Sequence, residues 1–135
     1  MAADLFVAGP SGERSESAGS DLILNDDGYY WFLYPYFETA NLDRSTELVD
    51  LYGDADIAGY QLERLHDELI EARLDAGCRA ETWRVLVGWT NTERSRSTEN
   101  WQTIDRAKMV ALIDRLLEFV QAARSMSGRL VCVGD

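Results

Sequence analysis

Asp50, Asp54 and Asp56 stand together in the run DLYGDAD, and carboxylates this close are hard oxygen donors of the kind that hold magnesium or calcium. Asp54, Asp56 and Gly59 fall on the first, third and sixth positions of a calcium-binding loop. The pattern then stops. Its fifth position is Ala58 and its twelfth is Leu65, so the bidentate carboxylate that completes such a loop is missing. The run reads instead as a solvated acidic loop leading into a helix, and no metal ligand is assigned. Asp26 and Asp27 belong to Asn-Asp-Asp-Gly, which suits a tight turn.

The other reactive side chains are sparse. A single histidine, His66, removes every mechanism that needs two, and its place beside Leu62, Leu65 and Leu69 makes it a half-buried structural residue. Cys78 and Cys132 are too few for a disulfide framework or a four-ligand zinc site. Cys132, in LVCV, reads as a small buried apolar residue, whereas Cys78 follows Gly77 and is expected to be accessible. There is no G-x-S-x-G elbow and no glycine pattern that cradles a phosphate. No catalytic residue and no cofactor is therefore assigned, and the chain is read as a non-enzyme.

What remains is charge and aromatic surface. The 135 residues carry a formal net charge of −11. Residues 21–75 hold fourteen acids against three arginines, net −11, while residues 76–135 hold seven acids against nine basic residues, net +2. A negative field disfavours nucleic acid, whose recognition needs positive charge, and favours a basic protein. Arginine outnumbers lysine twelve to one, a bias that fits a bacterial source. Half of the chain's aromatic residues lie between Tyr29 and Phe37, and tyrosines near surplus carboxylates resemble the anchors of protein interfaces.

Those residues need elements to position them. Residues 9–20, GPSGERSESAGS, are too poor in apolar area to order themselves, so residues 1–20 read as a flexible tail in which Leu5–Ala8 form an edge strand or a docking peptide. Residues 21–135 make a single domain. Leu22–Leu24, the Asn25–Gly28 turn and Tyr29–Tyr34 read as a β-hairpin, and residues 47–52, ELVDLY, as another strand ending in a loop at Gly53–Gly59. From Tyr60 to Ala76 the spacing of Leu62, Leu65, Leu69, Ala72 and Ala76 predicts a helix stopped at Gly77. Residues 82–89 alternate, with Trp83, Val85, Val87 and Trp89 on a buried face. A polar stretch follows, and Trp101–Ile104 either pair back as the second arm of a long-looped hairpin or lead into the next helix. Asp105 caps a second helix that carries Met109, Leu112, Ile113, Leu116, Leu117, Val120 and Ala123, and Leu130–Val133 form a strand inside the sheet.

The order predicts an α+β fold, a mainly antiparallel sheet of five to six strands with two amphipathic helices packed on one face. No apolar run reaches the ~18 residues that suggest a membrane span, and no secretory leader is recognised, so a cytoplasmic chain is expected. The expected function is that of a small acidic protein-binding module, an immunity or antitoxin type of inhibitor that masks a basic partner such as a nuclease toxin. Asp26, Asp27, Asp50, Tyr52, Asp54, Asp56 and Tyr60 are the expected partner-binding residues. The alternatives are a carboxylate-based or divalent-metal enzyme, with His66 as proton carrier, and a homodimeric scaffold.

Overall fold

A computed structural model describes residues 2–16, 18–43, 45–91 and 97–135. Seven strands and three helices run in the order β1 (Ala2–Ala8), β2 (Arg14–Ser15), β3 (Leu22–Asn25), α1 (Gly28–Ala40), β4 (Asp54–Ala58), α2 (Tyr60–Gly77), β5 (Thr82–Asn91), β6 (Ser97–Asp105), α3 (Arg106–Ser125) and β7 (Arg129–Gly134). The fold is α+β. A five-stranded antiparallel sheet is joined in the order β2-β1-β7-β4, with β3 also on β1, and β5 and β6 form a separate two-stranded antiparallel ladder. Among the described residues no helix is long and apolar enough to cross a membrane.

The large sheet grows around β1. Residues 2–8, expected in a flexible tail, instead pair with β7 along Ala3–Ala8 and with β3 along Ala2–Leu5. Ala3, Leu5 and Val7 are buried while Asp4 is exposed, so alternation over this short segment supplies the apolar face that composition alone understates. The ladder neighbours supply the rest of the ordering free energy. β7 lies between β1 and β4, the interior place expected from its apolar run.

The segment expected to be the second arm of a hairpin is a helix. Asp27 has extended backbone and its carboxylate accepts the backbone N–H groups of Tyr29 and Tyr30, which caps α1. Tyr30, Leu33, Phe37 and Ala40 then recur at helical spacing and are buried. Every position from Tyr29 to Leu33 is aromatic or leucine, so a period of two and a period of 3.6 fit equally well locally; the cap and the packing decide. Pro35 sits inside the helix, where it withholds one backbone donor. Residues 47–52 are likewise not a strand. Leu48, Val49 and Leu51 are buried loop residues, and the chain enters the sheet only at Asp54, in the stretch read as a loop, because β7 offers it an edge to pair with.

The two helices read from the sequence hold. α2 buries Leu62, Leu65, Leu69, Ala72 and Ala76, and α3 buries Met109, Ile113, Leu116, Phe119, Val120 and Ala123. Asp105 caps α3 by accepting from the Lys108 N–H. Gly59, ahead of α2, has φ +58, which favours glycine there. With α1 they make three helices on one face of the sheet rather than two, in one core that also takes in Ile57, Leu130 and Cys132.

β5 and β6 pair from Thr82↔Asp105 to Asn91↔Ser97, so the return arm begins earlier than Trp101. A register shift between Leu86 and Gly88 breaks the face expected to run from Trp83 to Trp89: Trp83 and Val85 pack on the core, while Trp89 is 57% exposed. Residues 92–96 of the polar connection lie outside the described residues.

Candidate functional site

Helices cover one face of the large sheet, and among the described residues its other face is left open. Register places Ile23, Asp4, Val133 and Asp54 side by side in one row across β3, β1, β7 and β4, and Phe6, Val131 and Asp56 in the next. Paired residues in an antiparallel ladder point to the same side, and Asp4, Asp54 and Asp56 are all exposed. Ile23 and Val133 are 55% and 41% exposed, so aliphatic side chains alternate with carboxylates along the row. Asp4 and Asp54 form no ion pair among the described residues; Asp56 faces Arg129, whose Nη1 lies 3.3 Å from its Oδ2. At the far end Arg14 stacks on the Phe6 ring, 4.3 Å from its centroid, and pairs with Asp21.

The seven residues named from the sequence divide between this face and local structural work. Asp54 and Asp56 lie on the open face. Tyr52 and Tyr60 flank β4 and are 57% and 63% exposed. Asp50 accepts the Tyr52 N–H at 2.9 Å, which folds the loop back toward the sheet end. Asp27 is the cap of α1, and Asp26 accepts the Trp31 indole N–H at 2.7 Å. Asp26 and Asp27 follow Asn25, which pairs with Ala2, and the Asp135 N–H donates to both Ala2 and Leu51 carbonyls. Both loops therefore meet one end of the sheet, separated by the roughly 14 Å that three strand spacings span.

The acidity of residues 21–75 is not a single surface. Asp67, Glu68 and Glu71 lie on α2, in the helical layer behind the sheet, and other acids are tied to arginines: Glu63 to Arg124 at 3.7 Å, and Asp75 to Arg79 at 2.9 Å. Arg79 beside Asp75 holds that carboxyl below its usual range. Among the described residues no group of three or more His, Cys, Asp or Glu side chains is placed to hold a metal ion, so Asp50, Asp54 and Asp56 do not converge. Asp54 and Asp56 lie in separate rows of the open face, and Asp50 is in the loop before them. His66 is half-buried on α2, in the helical layer on the other side of the sheet, with Nδ1 3.6 Å from Asp67. Cys78 is exposed and Cys132 buried, as their neighbours in sequence suggest.

Asp4, Phe6, Ile23, Val131 and Val133 are the members of the open face that sequence reasoning missed. The alternation of Ala3, Leu5 and Val7 with Asp4 and Phe6 was the available signal for two of them. Comparison with protein-family models, curated proteins and solved structures finds no match to this chain.

Proposed function

We propose that the chain is a protein-binding module that docks a basic partner on the open face of its large sheet, in the manner of an immunity or antitoxin protein masking a nuclease toxin. The observation that carries this reading is the row Ile23–Asp4–Val133–Asp54, in which exposed aliphatic side chains alternate with two carboxylates that have no ion pair of their own among the described residues. Apolar side chains interspersed with carboxylates suit a docking surface, and the negative charge selects a positive partner and speeds its approach. Tyr52 and Tyr60, exposed at the two ends of β4, are available as amphipathic anchors for the same partner. The carboxylates of Asp26 and Asp27 serve α1 and its neighbour Trp31, and contribute field rather than contact.

The test compares the wild-type chain with an Asp4→Lys/Asp54→Lys double variant in affinity capture from the cells that express it, at about 50 mM and about 500 mM salt, which lengthens or shortens electrostatic reach several-fold. One basic protein held at low salt in a fixed ratio, and released by high salt or by the double variant, supports the reading. Capture of no basic protein, or capture that ignores both perturbations, overturns it. A dimer of the chain that dissociates in the double variant assigns the face to a second copy instead.

A further inference from the structure

A second surface has the opposite chemistry. β5 pairs with β6 along one edge only, and outside that ladder no backbone hydrogen bond from Trp83–Leu86 occurs among the described residues. A cleft of about 330 Å³ runs beside this edge, lined by the four consecutive residues Trp83, Arg84, Val85 and Leu86. Successive strand residues point to opposite faces, so a cleft touching four in a row must follow the strand's edge rather than one face. Its far wall is α1, through Trp31, Phe32, Pro35 and Tyr36, its floor is the end of α2, where Arg79 lies paired with Asp75, and Trp101 of β6 lines it as well.

Unprotected edges are usually blunted by charge, proline or a covering segment. β5 has the sequence TWRVLVGWTN, in which Arg84 is the one charged residue, and a bulge that falls only beyond Leu86. Arg84 has no carboxylate partner among the described residues; its guanidinium stacks 5.0 Å from the Trp101 ring centroid. Arg79 lies 5.4 Å from the centroids of both Phe32 and Trp83, with Asp75 holding it in place. Trp83 Nε1 is buried without an acceptor. The Arg84 guanidinium, which has no carboxylate partner among the described residues, and Arg79, tied to Asp75, lie on aromatic rings beside unpaired strand backbone and form a site for something extended, apolar on one side and acidic on the other.

We propose that the outer edge of β5 and the cleft beside it dock an extended acidic peptide segment by strand addition. The peptide backbone completes the hydrogen bonds that Trp83–Leu86 leave open, alternate side chains enter the space against Phe32, Pro35 and Trp83, and its carboxylates meet Arg84 and the free side of Arg79. A single extended segment needs only the open edge of β5, since α1 already packs on the strand's inner face with the Phe32 and Trp83 ring centroids 5.4 Å apart, whereas a second folded copy carries its own α1 against the same edge. The site and its charge differ from those of the open sheet face, so failure of either reading leaves the other standing.

The probe is a capped octapeptide alternating valine and glutamate, with two controls: the same peptide with lysine for glutamate, and the glutamate peptide N-methylated throughout. Binding is read from amide and indole N–H chemical shifts of the whole chain. The expected result is saturable shifts confined to Trp83–Leu86, Arg79 and the indoles of Trp31, Trp83 and Trp101. The lysine peptide binds more weakly by about fivefold, a ratio typical of one or two exposed charge contacts. No binding is seen with the N-methylated peptide. Arg84→Gln reduces the preference for the glutamate over the lysine peptide, and Arg84→Glu reduces it further or reverses it. The proposal is overturned by absence of saturable shifts up to about 2 mM peptide, the weak end of specific recognition, by equal binding of the lysine or N-methylated peptide, or by an unchanged preference in both Arg84 variants.

Discussion

Removing one hydroxyl tests how α1 is tied to the loop that carries Asp50 and Tyr52. The Tyr30 hydroxyl donates to the Val49 carbonyl at 2.7 Å, and both residues are 2% exposed. Tyr30→Phe keeps the ring and leaves that carbonyl without its donor, which costs about 1–3 kcal/mol. For a chain of this length each kcal/mol moves the melting temperature by about 3–4 °C, so a fall of roughly 3–12 °C is expected near neutral pH. A second, independent consequence appears in alkali. Burial pushes the Tyr30 phenol well above its ordinary value of 10.0. Between those two values the unfolded chain has lost the proton that the folded chain retains, so wild-type stability is intact below pH 10 and declines above it. One such group lowers stability by about 1.4 kcal/mol by pH 11, whereas the variant has no phenol there to ionise. The gap between wild type and variant must therefore shrink by about that amount between pH 8 and pH 11; Tyr36, also raised by burial and by donating to Asp75, is present in both and cancels. Urea unfolding followed by tryptophan fluorescence measures both gaps. A gap that is absent at pH 8, or equally large at pH 11, refutes a buried Tyr30 hydrogen bond.

Gly28→Ala, which helix propensity alone predicts to stabilise α1 by about 1 kcal/mol, is expected to destabilise by about 1–3 kcal/mol, because the new Cβ meets Ile104 Cγ2 at 2.6 Å; thermal unfolding decides the sign. Cys78 is expected to react with a thiol reagent in the folded protein at pH 8, while Cys132, fully buried with its thiol pushed up to about 11 mainly by burial, reacts only after denaturant is added; mass spectrometry counts the labels.

How much was legible in the sequence depends on the range of the interactions involved. α2, α3, β5 and β7 follow from spacing within a single segment: leucines and alanines at helical intervals, alternating tryptophan and valine, and one uninterrupted apolar run. The absence of phosphate-binding and paired-histidine patterns is likewise a property of the sequence alone, as is the excess of carboxylates before residue 76. α1 was not legible, because a run of aromatic residues fits either period until Asp27 caps it and Tyr30, Leu33 and Phe37 find the core. β1 and β4 were not legible either. Each is short, and what makes it a strand is the ladder it forms with β7, more than seventy positions away in sequence. The carboxylates could be counted in advance, but their direction could not. Asp4 and Asp54 stand in one row only because both pair with Val133, and a shift of one residue in either ladder would turn that side chain toward the helices. Composition determined that the chain is negative; long-range register decided which of its charges share a face.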